Sequence, residues 1–437
     1  MHLPKNVLFC IEKLEKAGYP TYAVGGCVRD ACLGLKPHDY DLCTAATPDT
    51  TAAVFSDFPL VRAGEKHGTI GVVLEGEVIE ITTFRTEGDY LDSRHPQWVA
   101  FVPTVEQDLA RRDFTVNAMA YSPTRGFADP FGGRDDLHDH ILRAVGNPET
   151  RFSEDALRIL RGVRFAARFA LTPEKNTLAA MNTLAPLMEN LARERVYDEL
   201  SKLLLCTCAE DLITFAPILA QVIPELHPAI GFDQRSHHHA YDIFTHTAHV
   251  TEGVPTDLTL RWAALLHDIG KVSTFTLDGH GQGHFYGHAE KSAEMANAIL
   301  LRLKAPTALR EDAKFLIEKH MTPLIPEPKL VRRRLSQYGE RRLRMLLALQ
   351  NCDFCAKGVT GDTAVFVAID KLVQDILDRQ ACLTVKDLAV NGHDLMALGL
   401  AGPQIGHTLN RLLALVLDET LENNKAALLT AARQETL

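Results

Sequence analysis

The chain has 437 residues, 46% of them hydrophobic and 23% charged, which is an ordinary globular composition with room for three or four domains. Its 46 Lys and Arg against 56 Asp and Glu give a net charge of −10, which excludes a uniformly basic coat, so nucleic acid would have to be bound by local patches. Nine cysteines without a secretory signal predict a cytoplasmic protein, and no apolar run reaches the ~18 residues of a membrane span.

The predicted strands all lie in the first third of the chain, after an amphipathic N-terminal helix. They are residues 22–25, 40–43, 68–74, 78–83 and 117–121. From about residue 153 onward the apolar spacing is helical almost throughout. Loops are predicted near residues 225–236, 278–287 and 323–328. This order predicts an α+β protein in which a small mixed sheet precedes an all-helical remainder.

The segment GGCVRDACLGLKPHDYDL at residues 25–42 carries the most chemical information. Gly25 and Gly26 follow a predicted strand and lack the Cβ atoms that would keep a triphosphate away from backbone N–H groups. Asp39 and Asp41 fall in the next strand-like run, where alternation places both side chains on one face. Two carboxylates this close favour a divalent cation between them, and oxygen ligands favour Mg²⁺. The segment therefore predicts a nucleotidyl-transfer site.

This segment resembles the first motif of the class II tRNA nucleotidyltransferases, whose palm is shared with the DNA polymerase beta superfamily. The matching residues are Gly25, Gly26, Val28, Arg29, Asp30, Leu33, Gly34, Asp39 and Asp41. The resemblance implies that Asp39 and Asp41 are catalytic and hold Mg²⁺. It also implies that Gly25, Gly26 and Arg29 bind the nucleotide.

Two more motifs extend the resemblance along the head. Glu80, in EVIEITTFR, matches the strand that carries the third catalytic carboxylate of the superfamily. RRDFTVNAMA at residues 111–120 matches a nucleotide-binding motif that includes Asn117. In this motif Arg111 and Arg112 would face phosphate, which guanidinium groups bind bidentately. Asp113 would accept a hydrogen bond from the ribose 2′-hydroxyl and so favour ribonucleotides.

The segment SEDALRILRGVRF at residues 153–165 resembles the family's EDxxR motif, a protein template for the incoming base. On a helix, the i, i+3 spacing would put Asp155 and Arg158 side by side. A carboxylate accepts from an exocyclic amino group while a guanidinium donates to ring acceptors, so the pair would select C and A over U and G. Arg161 and Arg164 lie near enough in sequence to help hold the nucleotide. RERVYDEL at residues 193–200 matches a further family motif, whose arginines are read as a solvated face.

A second, independent constellation resembles the HD superfamily of metal-dependent phosphohydrolases. Its members are His246, His267, Asp268, His288, His320 and Asp353. Imidazoles and carboxylates at this density suit Mn²⁺, Ni²⁺, Fe²⁺ or Zn²⁺ better than Mg²⁺, although Mg²⁺ stays possible. In relatives such domains act on cyclic phosphates or nucleotides, which would suit the repair of damaged 3′ ends. The three histidines at 237–239 precede this pattern and are predicted to be loop.

The resemblance predicts four parts: a nucleotidyltransferase head at 1–140, a helical neck at 141–225, an HD domain at 236–355 and a tail at 356–437. The partners would be CTP, ATP and the acceptor stem and elbow of tRNA. Tail contacts with the elbow are expected from six arginines, Arg332, Arg333, Arg334, Arg341, Arg342 and Arg344. The sequence leaves the oligomeric state open.

Within the family, the sequence favours stepwise addition of C, C and A to the tRNA 3′ end without a nucleic-acid template. Residues 84–103 resemble the flexible loop of enzymes that add A, and AGEKHGTIGV at 63–72 looks like the CCA-adding version and not the poly(A) polymerase version. Addition of A alone and poly(A) synthesis remain as alternatives. A third alternative is an HD phosphohydrolase whose palm only binds RNA.

Overall fold

The computed structural model describes residues 1–87, 99–236, 240–358 and 363–434. The chain folds into two compact units, Met1–His227 and Pro228–Leu437. Residues 88–98, the centre of the segment assigned to the family's loop, and the histidines at 237–239 lie outside the described residues. The finer division into four parts stays a prediction.

The first unit begins with the predicted amphipathic helix, α1 (Lys5–Lys16), whose buried residues Val7, Cys10, Ile11 and Leu14 follow helical spacing. The strands of this unit are β1 (Thr21–Val24), β2 (Asp41–Thr44), β3 (Leu60–Val61), β4 (Thr69–Leu74), β5 (Glu77–Thr83), β6 (Arg85–Glu87), β7 (Val99–Phe101), β8 (Ala120–Ser122), β9 (Gly126–Ala128), β10 (Ile141–Leu142) and β11 (Thr172–Pro173). Its other helices are α2 (Gly26–Cys32), α3 (Pro48–Val54), α4 (Val105–Ala110), α5 (Gly133–His138), α6 (Pro148–Glu154), α7 (Leu157–Phe169), α8 (Lys175–Leu184), α9 (Arg193–Leu204), α10 (Ala209–Thr214) and α11 (Ala216–Val222).

Seven strands form one sheet in the order β3-β4-β5-β2-β1-β8-β9. The pair β2–β5 is parallel and its neighbours are antiparallel, so the predicted mixed sheet is confirmed. α4 supplies Val105 and Leu109 to a core that also contains Val24, Cys43 and Phe84. The short edge strands β3 and β9 were not predicted. The predicted strand at 117–121 was partly wrong, because a 3₁₀ turn occupies Thr115–Asn117 and β8 begins at Ala120.

The second unit is helical, as predicted. Its helices are α12 (Ile243–Gly253), α13 (Leu258–Leu266), α14 (Lys271–Thr274), α15 (His288–Arg302), α16 (Thr307–Lys319), α17 (Pro328–Tyr338), α18 (Glu340–Cys355), α19 (Ala364–Asp378), α20 (Gly392–Met396), α21 (Pro403–Leu417) and α22 (Lys425–Arg433). One predicted loop, 278–287, was partly wrong, because β12 (Thr276–Leu277) and β13 (Gly283–His284) form an antiparallel hairpin there. None of the described helices is both long and apolar enough to cross a membrane.

Candidate active sites

The palm site is built where β2 lies between β1 and β5. Antiparallel pairing puts Asp41 opposite Val24, the last residue before the glycine turn. Parallel pairing puts Leu42 beside Ile81, so Asp41 neighbours Glu80 on the adjacent strand. The sheet therefore brings together the glycine turn and two of the three predicted catalytic carboxylates.

Asp39 occupies a different position from the predicted one. β2 begins at Asp41, so Asp39 lies in the preceding loop and strand alternation does not orient its side chain. The two carboxylates nevertheless influence each other. Loss of solvent around the carboxylate raises the pKa of Asp41, and the negative charges of Asp39 and Glu80 raise it further. The positive charge of Arg112 lowers this pKa in part. This concentration of negative charge, with oxygen donors only, fits a hard divalent cation such as Mg²⁺.

Gly25 is required by a close approach as well as by its backbone. Its φ of +76° lies in the left-handed region, and a Cβ atom would stand 2.7 Å from Nη1 of Arg112. The N–H of Gly25 donates to the carbonyl of Met119 at 3.0 Å. The glycine turn therefore lets Arg112 of the second motif lie directly against the first motif.

Asp108, which the sequence analysis did not single out, anchors the two arginines of the RRDFT motif. Its buried carboxylate lies 3.0 Å from Nε of Arg111 and 3.6 Å from Nη2 of Arg112. It also accepts the backbone N–H of Arg85 at 3.2 Å. The sequence does contain a signal for these contacts, because an acidic residue three and four positions before two arginines commonly pairs with them on a helix.

Asp113 is held ionised by its surroundings. Burial by itself raises its pKa, but the Arg161 guanidinium, at 2.8 Å from Nε to Oδ2, together with the Asn117 amide and the charge of Arg158, outweighs burial, and the pKa falls to about 2. The N–H of Phe114 and the amide of Asn117 also donate to Oδ1, at 2.9 and 3.2 Å. The carboxylate is therefore a fixed acceptor at neutral pH, as the predicted role towards a ribose hydroxyl demands.

Arg29 is buried in a network of its own. It donates to Oδ1 of Asp30 from Nε at 2.9 Å and to Oδ1 of Asn117 from Nη1 at 2.6 Å. Its guanidinium also lies 4.2 Å from the ring centroid of Phe169. These contacts tie α2 to α7 and make Arg29 a support of the glycine turn, while its predicted contact with nucleotide stays a prediction.

The expectation that Asp155 and Arg158 share one helix was wrong. Asp155 is extended, with φ −146° and ψ 102°, and separates α6 from α7. Its Oδ1 accepts the N–H of Leu157 at 3.0 Å, and its Oδ2 accepts from Nη2 of Arg195 at 2.7 Å. Aspartate favours such capping positions over helix interiors, because its side chain hydrogen-bonds nearby backbone.

Arg158 nevertheless lines the same cavity as Asp155. It forms an ion pair with Glu154 and donates to the carbonyls of Arg151 and Arg111 at 2.9 and 3.2 Å. Arg164 is different, because it is buried against Glu199, with 2.6 Å between Nε and Oε2. Of the two arginines predicted to assist, the structure thus places Arg161 at the site and Arg164 behind it.

A cavity of about 270 Å³ collects the nucleotide-binding candidates of both motifs. Its lining residues are Arg111, Arg112, Asp113, Asp155, Leu157, Arg158, Arg161 and Arg195. Five arginines against two aspartates suit an anionic ligand, and the two carboxylates supply hydrogen-bond acceptors. Arg195, which the sequence analysis set aside as part of a solvated face, belongs to this cavity.

In the second unit, the histidine–aspartate cluster surrounds Asp268. His267 and His246 place Nε2 atoms 3.2 and 3.6 Å from its Oδ2. His288 and His320 place theirs 3.5 and 3.8 Å from its Oδ1. The sixth predicted member, Asp353, lies 3.0 Å from Nε2 of His246. All six predicted residues therefore converge.

The second nitrogen of each imidazole is occupied by backbone. The Nδ1 atoms of His267, His288 and His320 lie 2.6 to 2.7 Å from the carbonyls of residues 264, 285 and 317. Nδ1 of His246 lies 3.2 Å from the carbonyl of residue 356. These contacts leave every Nε2 facing the cluster, which is how metal-binding histidines are oriented in proteins.

The cluster fits a transition metal. Among the described residues, none donates a hydrogen bond to the buried Oδ1 of Asp268. Burial, with the charge of neighbouring His267, lowers the pKa of His320 to about 4, so its imidazole is neutral and able to bind a metal at pH 7. Lys271, which the sequence analysis missed, forms an ion pair with Asp268, with Nζ 2.7 Å from Oδ2.

Five of the six arginines in the run on α17 and α18 form ion pairs within the second unit. Arg332 and Arg333 form ion pairs with Glu419 and Asp418. The remaining pairs are Arg341 and Arg342 with Asp312, and Arg344 with Glu340 and Asp370, while Arg334 donates to the hydroxyl of Tyr338. These carboxylates were not paired with the arginines in the sequence analysis, so the patch is less basic than expected and its contact with the tRNA elbow stays a prediction.

Three family models match the chain. "Poly A polymerase head domain" covers residues 21–143, "Probable RNA and SrmB- binding site of polymerase A" covers 170–230, and "HD domain" covers 238–352. Among solved structures, the CCA-adding enzyme of Bacillus stearothermophilus in complex with CTP matches 100% of this chain and 98% of that chain, with a TM-score of 0.75 and 27% identity. The Thermotoga maritima CCA-adding enzyme, complexed with tRNA, shares the fold at 20% identity and a TM-score of 0.61, covering 99% of this chain and 95% of that one.

Two of three curated relatives match over nearly their whole length, and the third matches over half of it. A CCA-adding enzyme of Levilactobacillus brevis is 33% identical over 98% of this chain and 98% of the relative. Another from Streptococcus mutans is 32% identical over 99% and 98%. A third, from Streptococcus gordonii, is 47% identical over 46% of this chain and 50% of the relative. With the palm carboxylates, the arginine-lined cavity and the HD cluster in place, these full-length matches show that the chain belongs to the family of CCA-adding enzymes.

Proposed function

We propose that this chain adds C, C and A in turn to the 3′ end of tRNA, using CTP and ATP and no nucleic-acid template. The observation that carries the proposal is the position of Asp41, which neighbours Glu80, is influenced by Asp39 and Arg112, and lies beside the glycine turn. A nucleotidyl-transfer centre needs this combination of carboxylates with nearby phosphate-binding groups.

The palm carboxylates are assigned to metal binding, and two arginines are assigned to phosphate binding. Asp39 and Asp41 hold Mg²⁺, with Glu80 as a weaker third carboxylate. When bound, Mg²⁺ supplies positive charge that lowers the pKa of the attacking 3′-hydroxyl and stabilises the pyrophosphate leaving group. Arg111 and Arg112 lie in the cavity next to this centre and bind the triphosphate, which orients its α-phosphate for in-line attack.

Asp113 is proposed to select ribonucleotides. Replacing it with Asn should lower the preference for CTP over dCTP by about 10- to 100-fold, because the 2′-hydroxyl then donates to a neutral amide oxygen and not to a carboxylate. The ratio of kcat/KM for the two nucleotides measures this effect. A thermal unfolding curve controls for the lost Arg161 ion pair, and an unchanged ratio in a folded variant would remove Asp113 from this role.

Asp155 and Arg158 are proposed to read the base from opposite sides of the helix break. Asp155→Ala should reduce kcat/KM for CTP and ATP by about 10- to 100-fold relative to UTP and GTP, because the acceptor for the exocyclic amino group is lost. Asp198→Ala is the matched control, since Asp198 pairs with Lys202 on the exposed face of α9. Equal losses for all four nucleotides would mean that Asp155 supports the fold and does not select the base.

A second activity is proposed for the HD cluster, supported by four oriented imidazoles and by a buried Asp268 Oδ1 that accepts no hydrogen bond from the described residues. The metal would be Mn²⁺, Ni²⁺, Fe²⁺, Zn²⁺ or Mg²⁺, and the substrate a 2′,3′-cyclic phosphate or a phosphomonoester. In the hydrolysis of a cyclic phosphate, water forms a new P–O bond, one ring P–O bond breaks, and the released ribose oxygen takes the proton. The product is a 2′- or 3′-phosphomonoester. A second hydrolysis, in which water attacks phosphorus and the ribose oxygen leaves with a proton, would release inorganic phosphate and restore the 3′ end for nucleotide addition.

A further inference from the structure

The cavity beside the histidine–aspartate cluster, about 340 Å³ in volume, is lined by two chemically different groups of side chains. Asp268 and His320 are deeply buried, at 1% and 3% exposure. Tyr286 and Met321 line the same cavity but are 78% and 54% exposed. The cavity therefore passes from charged, metal-binding groups inside to aromatic and apolar groups at its opening.

Tyr286 is supported from behind by a second ring. Its ring stacks on the imidazole of His284, with centroids 5.4 Å apart and an interplanar angle of 8°. Nε2 of His284 lies 3.1 Å from Oδ2 of Asp278, and that carboxylate also accepts the N–H groups of residues 280 and 282 at 2.9 Å. The hairpin turn thus fixes the imidazole, which holds Tyr286 as a flat surface that is mostly open to solvent.

Positive charge is placed deeper in the same cavity. Lys271 is 5% exposed, and its Nζ lies 2.7 Å from Oδ2 of Asp268 and donates to Oε1 of Gln234 at 3.0 Å. Lys357 also lines the cavity. A ligand that matches this arrangement has an aromatic part for the opening and an anionic part for the interior, which is the chemistry of a nucleoside phosphate.

We propose that Tyr286, supported by His284, is the stacking surface for the base of a nucleoside phosphate whose phosphate reaches the Asp268 cluster. The inference rests on the phosphohydrolase activity proposed above and adds the group that recognises the substrate. Stacking on an aromatic ring accepts any base, because every base has a flat π-face. The site is thereby expected to distinguish nucleotides from phosphate esters without a base, and not one base from another.

The test compares two substrates with the same five-membered cyclic phosphodiester, adenosine 2′,3′-cyclic phosphate and glycerol 1,2-cyclic phosphate. In the full-length protein with Mn²⁺, Tyr286→Ala should lower kcat/KM for the adenosine compound by about 10- to 100-fold, mainly through KM. Tyr286→Phe should stay near the wild type, and neither variant should change hydrolysis of the glycerol compound. Equal losses on both substrates, or no loss on either, would overturn the proposal.

Photocross-linking tests the stacking surface without requiring hydrolysis. Irradiation with 5-iodouridine 2′,3′-cyclic phosphate should attach the base to the peptide that contains Tyr286, and Tyr286→Ala should abolish the product. A cross-link at this peptide with no hydrolysis of either substrate would refute the phosphohydrolase and keep the stacking surface. Cross-links elsewhere in the chain, or none, would overturn the stacking surface whatever the hydrolysis shows.

The same variant identifies the natural source of the nucleotide. Hydrolysis is measured on the mononucleotide and on a tRNA transcript that ends in a 2′,3′-cyclic phosphate. If Tyr286→Ala impairs the transcript, the surface receives RNA 3′ ends, and if it impairs only the mononucleotide, the surface receives free nucleotides. Both patterns support the stacking role, while an effect on neither substrate contradicts it.

Discussion

Replacing Asp41 with Asn is expected to lower nucleotide incorporation by about 10³-fold or more while leaving tRNA binding intact. The substitution keeps the size of the side chain but removes one of the carboxylate charges proposed to hold Mg²⁺, and metal stabilisation of the transferring phosphate is worth several kcal/mol. Single-turnover incorporation of labelled CTP into a tRNA transcript measures the loss. Filter binding of the same transcript reports tRNA affinity.

The matched control for this variant is Glu77→Gln. Glu77 is an exposed carboxylate on β5, three residues before Glu80, so its loss changes the charge of the same strand without reaching the centre. Glu80→Gln is expected to fall between the two variants, because Glu80 is proposed as a weaker third carboxylate beside the two aspartates. If Asp41→Asn retained incorporation within tenfold of the wild type, the palm would not be the site of the chemistry.

Replacing Asp268 with Asn is expected to abolish metal binding and phosphohydrolysis by the second unit, with nucleotide addition unchanged within about twofold. Asp268 contributes two buried carboxylate oxygens, and it lies within 4 Å of all four imidazole Nε2 atoms. A neutral amide offers one weaker ligand in place of two. Metal content per chain after dialysis, and hydrolysis of adenosine 2′,3′-cyclic phosphate, are the two readouts.

Two further variants keep this prediction decisive if Asp268→Asn fails to fold because of its buried contact with Lys271. His288→Ala removes a ligand near the cavity and should also release metal. His393→Asn, at an exposed position on α20, should change neither readout. If Asp268→Asn and His288→Ala both kept the metal content of the wild type, the cluster would not be the metal site.

The sequence predicted the palm well where local pattern and sheet geometry agree. β1, β2, β4 and β5 fall within one residue of the predicted strands at both ends, since apolar runs of four to seven residues bounded by glycine and proline are strong strand signals. The family resemblance assigned Asp41 and Glu80 to two predicted strands, and the structure shows that these strands are neighbours. The HD cluster was also anticipated completely, because its six residues match one ordered pattern.

Two site residues were placed in the wrong local structure because they lie at the boundary of a helix or a strand. Asp155 was interpreted as a helix residue because its spacing to Arg158 is helical, but the backbone is extended there and its side chain accepts the N–H of Leu157, the first residue of α7. Asp39 was predicted to share a strand with Asp41, but β2 begins only at Asp41, so Asp39 lies in the loop before it. A one- or two-residue error in an element boundary is ordinary for sequence patterns, yet here it decides which surface a carboxylate faces.

The sequence analysis also missed the ion pairs that site residues form with residues far away in the sequence. Arg195 reaches Asp155 across 40 positions and Glu199 reaches Arg164 across 35. The arginines of α17 meet carboxylates 85 to 87 positions away. Such pairs depend on how helices pack, and single-sequence periodicity carries no information on that packing.

The decisive measurement for stepwise addition of C, C and A gives the purified protein Mg²⁺ and single labelled nucleotides with tRNA transcripts that end at the discriminator base, at C or at CC. The proposal predicts CTP addition to the first two transcripts, one ATP addition to the third, and no growth beyond A. Addition of ATP only, with no use of CTP, would identify an A-adding enzyme. A long ladder of A residues would identify a poly(A) polymerase, and no incorporation at all would contradict the catalytic role of the palm.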